Sequence, residues 1–231
     1  MSATAPFTPA TLAFLRALKR HNDRTWFHER RADYERDVQG PMQLMIERLG
    51  REFQSFAPEQ MADPKKSLYR IWRDTRFSGD KRPLKTNVAA VFPHRRGTRH
   101  TSAGFYIEIE AKWVFAGGGL YMPEPPSLQR IRERIAEAPA EFRSIVTSEP
   151  LLRLGGVQGE CLKRVPRGFP SDHPAADDLK RKQFLAFKEW PPELMTSPEF
   201  WEEVVPVFRA IAPLVLYLNR AMRVGIGDEQ N

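Results

Sequence analysis

Phe105, Ile107 and Ile109 alternate with Tyr106, Glu108 and Glu110, and this period of two commits the middle of the chain to a strand with one buried and one wet face. On both sides of it the period is helical. Leu12, Leu15 and Leu18 share a face after Thr8-Pro9, a cap followed by a proline at the first helical position. Asp23 caps a second helix with Phe27, Arg31, Tyr34 and Val38 on one stripe, and Gly40-Pro41 is expected to interrupt it. Met42, Met45, Ile46, Leu49 and Phe53 form the third stripe.

Beyond the strands, Ser127 is expected to cap a helix bearing Leu128, Ile131 and Ile135, and Phe142, Ile145 and Val146 mark a shorter one after Pro139. Residues 149–173, rich in Gly and Pro, read as a long ordered loop. Ser197-Pro198 opens a last helical stretch with Trp201, Val204, Phe208, Ile211, Val215, Leu218 and Met222 on one face, which Pro206 and Pro213 are expected to break or kink. Helices, then strands, then helices predict an α+β fold. The expectation is an antiparallel meander over residues 88–122, with a further possible strand over 184–190, packed against N-terminal and C-terminal helices. One domain spanning residues 7–222 is expected. Phe105, Ile107 and Ile109 should face its core, with Tyr106, Glu108 and Glu110 more exposed or lining a cleft.

With 231 residues and 41% hydrophobic content, the chain can bury a sizeable core. Its longest purely apolar run, residues 210–218, is short of the roughly 20 residues of a spanning helix, so no membrane segment is expected. The first ten residues lack the basic start and apolar stretch of a signal peptide. A single cysteine, Cys161, forms no internal disulfide, and the cytoplasm is the expected compartment.

The net charge of +7 is unevenly spread: residues 64–100 carry eleven Lys/Arg against two Asp/Glu, net +9, whereas residues 1–63 balance and residues 101–231 are net −2. Charge gathered in one stretch points to an anionic partner or to a local ion-pair network. The stretch from Arg70 to Thr86 holds Arg70, Arg73, Arg76, Lys81, Arg82 and Lys85 against only Asp74 and Asp80. Arginine presents a planar fork of donors to phosphate or carboxylate oxygens, and lysine adds a mobile charge. In the pairing alternative, Arg73 meets Asp80 and Arg76 meets Asp74, yet two carboxylates do not neutralise six cations. The excess must meet distant acids such as Glu108 and Glu110, a ligand or water.

The block RDTRFSGDKRPLKT, with NDRTWF at 22–27, GGGLY at 117–121 and VPRGF at 165–169, resembles the bacterial and fungal "domain of unknown function 2461" family. The similarity runs from about Phe7 to Met222. The family pattern favours Lys, Thr and Tyr where this chain has Gly79, Arg82 and Leu84. The resemblance implies one soluble domain in which the basic block matters, and it implies no reaction, cofactor or catalytic residue.

The functional expectation is a site for a phosphate- or carboxylate-bearing small molecule, gripped by Arg70, Arg73, Arg76, Lys81 and Lys85, with Arg24 as a neighbour. If a reaction occurs there, Asp74 and Asp80 are the carboxylates of the block that could move protons. Two alternatives stand beside it. One is a nucleic-acid module in which Trp72, Phe77, Phe92 or Tyr106 stacks on bases, with affinity expected to be micromolar or poorer at physiological salt because the charge is confined to one stretch. The other is a domain that recognises an acidic protein segment. Elsewhere, Asn22 and Asp23 read as caps, Gly117 to Gly119 as a bulge or turn, and His94 and His100 as part of a basic loop with no metal expected. Asp172 or His173 reads as a cap before Pro174, and Cys161 as inert.

Overall fold

The computed structural model describes residues 4–224. The chain opens with a helical layer: α1 (Pro9–Arg20), α2 (Arg24–Glu29), α3 (Arg31–Tyr34), a π-helical turn (Glu35–Gln39), α4 (Gly40–Phe53) and the single turn α5 (Pro64–Ser67). Four strands, β1 (Asn87–Pro93), β2 (Gly104–Glu110), β3 (Val114–Leu120) and β4 (Phe184–Trp190), form one antiparallel sheet in the order β1-β2-β3-β4. Between β3 and β4 come α6 (Pro125–Glu137), α7 (Pro139–Val146), α8 (Glu149–Leu152) and α9 (Ala176–Leu179). A 3₁₀ turn (Pro192–Thr196) then leads into α10 (Phe200–Met222). The fold is α+β with a meander sheet, as the periodicities predict.

The helical stretch over residues 31–53 is not interrupted at Gly40-Pro41. Proline lacks the N–H that the carbonyl four residues earlier would accept, and the chain absorbs this with a π turn in which the Gly40 N–H reaches back five residues to the Glu35 carbonyl. The Asp37 carbonyl, which Pro41 leaves unpaired, accepts from the buried Thr11 hydroxyl of α1 at 2.6 Å. A break expected from local sequence thus becomes a tie between two helices. Pro206 and Pro213 likewise fail to break α10, which is continuous over 23 residues. Each proline costs about 3 kcal/mol in a helix interior. The buried stripe including Val204, Phe208, Ile211, Val215 and Leu218 contributes roughly 1.5–3 kcal/mol per side chain, which is more than enough to offset them.

Helix starts differ locally from expectation. α6 begins at Pro125 after Glu124 rather than at Ser127, and α10 begins at Phe200, with Ser197 Oγ accepting from the Glu199 N–H upstream. The 149–173 loop contains the helical turn α8. At the N-terminal end, the Thr4 carbonyl accepts from Trp201 Nε1 at 3.1 Å, so the docked chain starts before Phe7. By length and composition alone, at a mean hydropathy of 1.3, α10 matches a membrane-crossing helix, but most of that stretch is buried within the protein.

Phe105, Ile107 and Ile109 are fully buried, and Tyr106 and Glu108 are half-buried on the opposite face. Glu110 departs from the pattern. At the strand end α1 covers it, its side chain is 5% exposed, and Lys19 Nζ pairs with it at 2.9 Å. One hydrophobic cluster joins the helical layer, the inner sheet face and α10. At its centre the Phe53 ring lies 5.1 Å from those of Phe92 and Phe105 and 5.7 Å from that of Phe208. Asn219 of α10 clamps the chain just before β2, accepting from the Ala103 N–H at 2.9 Å and donating to its carbonyl at 3.1 Å.

The glycine triplet lies within β3 and serves packing. At Gly118 an added Cβ would stand 3.1 Å from Ile211 Cγ2, so the missing side chain lets α10 approach the sheet. Gly119 has φ of 119°, which side chains rarely adopt, and an added Cβ would fall 1.9 Å from the Phe184 carbonyl oxygen.

Candidate functional site on the open face of the sheet

The basic block leaves the sheet edge as a flap. The Lys85 N–H donates to the Ile71 carbonyl at 2.8 Å and the Arg73 N–H to the Pro83 carbonyl at 2.9 Å, so the two limbs run antiparallel toward a turn near Ser78. Asn22 fixes the root of the flap to the helical layer. Its side chain donates to the Leu84 carbonyl at 2.9 Å and accepts from the Leu84 N–H at 3.0 Å. Trp72 meets the Phe27 ring edge-on at 5.5 Å. Asn22 is therefore a bridge rather than a helix cap. Asp23 does the capping, accepting from the Trp26 N–H at 2.8 Å, and Arg24 is exposed at the first position of α2.

Within the flap, several cations are neutralised locally. Asp80 receives Arg73 Nη1 at 2.6 Å and Arg82 Nη2 at 2.7 Å, and Asp74 receives Arg76 Nη2 at 2.7 Å. The Arg76 side-chain hydrogen bonds hold the Asp74 carboxyl down to about 2, and those from Arg82 and then Arg73 hold Asp80 lower still. Both acids are thus held ionised by their arginine partners near neutral pH. Lys81, exposed, donates to the Thr75 carbonyl at 3.0 Å across the flap turn. Phe77, at 97% exposure, marks the flap tip.

Three cations of the basic segment behave differently. Arg70, Lys85 and Arg99 form no ion pair among the described residues. Lys85 Nζ lies 4.7 Å from the Tyr69 ring centre and the Arg99 guanidinium 5.3 Å from it, distances at which a cation is attracted to the ring face. Burial, followed by the neighbouring charges of Arg70 and Arg99, pushes the Lys85 amine below its ordinary 10.5, and Glu108 acts in the opposite direction.

Glu108 does not pair with the arginines. Its Oε2 accepts from the Tyr106 hydroxyl at 2.6 Å and its Oε1 from Trp113 Nε1 at 3.1 Å. Burial, together with the hydrogen bond to Glu108, raises the Tyr106 hydroxyl far above its usual range, so it remains a donor. The arrangement is a patch of cations beside a half-buried carboxylate, over an aromatic floor. It can compensate an anion through Arg70, Lys85 and Arg99 and accept hydrogen bonds at Glu108.

Of the sequence candidates, Arg70 and Lys85 enter this patch, while Arg73, Asp74, Arg76 and Asp80 belong to the paired flap. Tyr69 and Arg99 were missed, although Arg99 belongs to the same basic segment. Glu108 was considered only as an ion-pair partner. Of the aromatic residues considered for stacking, Phe92 is fully buried, Trp72 packs on Phe27, and Tyr106 lies on the open face.

The remaining candidates have local partners. His94 Nδ1 accepts from the Arg96 N–H and His100 Nε2 from Arg99 Nε. His173 Nδ1 accepts from the Ala175 N–H within a turn, and Asp172 is exposed. Cys161 is exposed. Among the described residues no group of three or more His, Cys, Asp or Glu is placed to hold a metal ion.

A meander sheet with helices on its inner face and a cation-rimmed aromatic surface on its outer face defines a compact α+β class. Residues 10–217 match the family described as "conserved hypothetical protein (DUF2461)", and the chain belongs to that family. No curated protein and no solved structure matches the chain.

Proposed function

We propose that this chain binds an anionic small molecule, bearing phosphate or carboxylate, on the open face of the sheet through Arg70, Lys85 and Arg99. The observation that carries the reading is the half-buried Lys85, which shares the Tyr69 ring with Arg99 and lacks a carboxylate partner among the described residues. Burial, followed by the two neighbouring guanidinium groups, disfavours its charge, and a bound anion would compensate all three cations at once. The paired flap, with Arg73, Arg76 and Arg82 already held in ion pairs with Asp80 and Asp74, acts as the wall that positions Lys85.

Inorganic phosphate is expected to raise the melting temperature in a concentration-dependent way, because a ligand that binds the folded chain stabilises it by mass action. Lys85→Met should abolish that response, and Arg76→Ala should leave it intact. Loss of the response in Arg76→Ala with retention in Lys85→Met would return the site to the flap. The pH dependence has a definite sign. The folded-state pKa of Lys85 is lowered, so between that value and 10.5 the unfolded chain holds more protons than the folded one. With rising pH, this residue's contribution to stability therefore increases across that window, while phosphate affinity falls as Lys85 loses its charge. Affinity unchanged up to pH 10.5 would mean that Lys85 does not hold the anion.

A further inference from the structure

The open face carries more than charge. Four half-buried rings run across it in a continuous row, from the flap root to the last strand. Tyr69 meets Tyr106 at 6.2 Å, Tyr106 meets Phe115 at 6.0 Å, and Phe115 meets Phe187 at 5.1 Å, measured between ring centres. The strand register explains the row. Tyr106 of β2 stands opposite Gly117 of β3, and Gly117 stands opposite Phe187 of β4. An added Cβ on Gly117 would lie 2.7 Å from Phe187 Cβ and 3.3 Å from Phe115 Cε1, so the absent side chain is what brings these two rings together. Tyr106, Phe115 and Phe187 point away from the α10 side of the sheet, where a soluble protein would more readily carry polar groups.

Charge along this row is polar in the directional sense. Arg70, Lys85 and Arg99, none of them in an ion pair among the described residues, gather at the Tyr69 end. At the other end Glu189, opposite Phe115 in the β3–β4 register, is exposed. Glu108 lies between, opposite Phe115 in the β2–β3 register. A ligand matched to this face has one anionic end, a flat body, and hydrogen-bond donors near its middle. Each Glu108 oxygen already accepts one bond from the protein and has a further lone pair for another.

We propose, building on the anion-site reading above, that the ligand is a nucleoside monophosphate or a closely similar heteroaromatic phosphate. The phosphate meets Arg70, Lys85 and Arg99, the base stacks on the Tyr106–Phe115 stretch of the row, and paired N–H donors on the base edge face Glu108. Guanine offers two such donors side by side. A flat base gains from ring faces whatever its identity, and a carboxylate selects for N–H edges over carbonyl edges. A polynucleotide fits less well, because successive phosphates would have to pass Glu108 and Glu189.

The test compares guanosine monophosphate, glycerol phosphate and inorganic phosphate as probes of the whole chain, by calorimetric titration at fixed salt. Guanosine monophosphate is expected to bind at least tenfold more tightly than glycerol phosphate. Phe115→Ala, with Phe115→Leu as the milder variant should the first fail to fold, is expected to remove most of that advantage. Glu108→Gln, which turns an N–H donor toward the base, is expected to reduce it. If the nucleotide and glycerol phosphate bind equally, the ring inference is overturned while the anion site stands. If none of the three binds, both are overturned. A short single-stranded oligonucleotide binding far more tightly than the monophosphate would replace a small-molecule ligand with nucleic acid and also overturn the proposal.

Discussion

Gly118→Val is expected to separate α10 from the sheet and to lower stability by about 3 kcal/mol or more, near the top of the range for overpacking a filled core. An ideal Cβ at this position would stand 2.8 Å from Phe105 Cδ1, 2.9 Å from the Gly104 carbonyl oxygen and 3.1 Å from Ile211 Cγ2. Side chains can shift, but the carbonyl belongs to the paired β2 backbone and cannot withdraw without breaking the ladder. Valine then adds two methyl groups on the side where α10 lies. For a chain of this size, such a loss corresponds to a melting-temperature drop of roughly 6–12 °C. Gly79→Val is the matched control, since a Cβ there meets nothing within 4 Å, and its effect should stay within about 0.5 kcal/mol. Urea unfolding of both variants checks the pair. Equal midpoints for Gly118→Val and the parent chain would mean that α10 does not rest on β3 as described.

Asn22→Ala is expected to cost about 2–4 kcal/mol and to weaken the phosphate response as well. Leu84 is 1% exposed, and the substitution removes the partners of both its backbone N–H and its carbonyl. Each buried group left unpaired costs about 1–3 kcal/mol. Because Lys85 follows Leu84 directly, loosening the flap root also releases the amine from its place over Tyr69. Asn22→Asp keeps the acceptor for the Leu84 N–H but loses the donor to its carbonyl, and should fall between the two. Stability comes from chemical denaturation and the ligand response from thermal shift in phosphate. A variant with parental stability and full response would show that the flap holds its place without the helical layer.

The order of elements was legible because period and capping are local signals. The alternation at residues 105–110 and the run at 184–190 placed two strands, and Asp23 marked the α2 cap. What was not legible depends on partners remote in sequence. Thr11 meets the carbonyl freed by Pro41 through a side chain 26 residues away. Lys19 buries Glu110 across 91 residues, against the strand alternation. The same division runs through the site. The excess of cations over acids was visible as a count, and the Arg73–Asp80 and Arg76–Asp74 pairs followed from short spacing. That Arg70 and Lys85 would join Arg99, Tyr69 and Glu108 was not visible, because it requires the pairing of the Tyr69 N–H with the Ala89 carbonyl at 3.0 Å and the register that sets Glu108 opposite Ala89.

The central claim is that the unpaired cations at the flap root, rather than the paired ones within the flap, receive an anion. Side-chain nuclear magnetic resonance of the arginine Nε–H and lysine ammonium groups during titration with inorganic phosphate tests this residue by residue. The account predicts saturable shifts at Arg70, Lys85 and Arg99, with Arg73, Arg76 and Arg82 unmoved in their ion pairs with Asp80 and Asp74. Saturable shifts confined to Arg73, Arg76 and Arg82, or no saturable shift at any of the six, would contradict it.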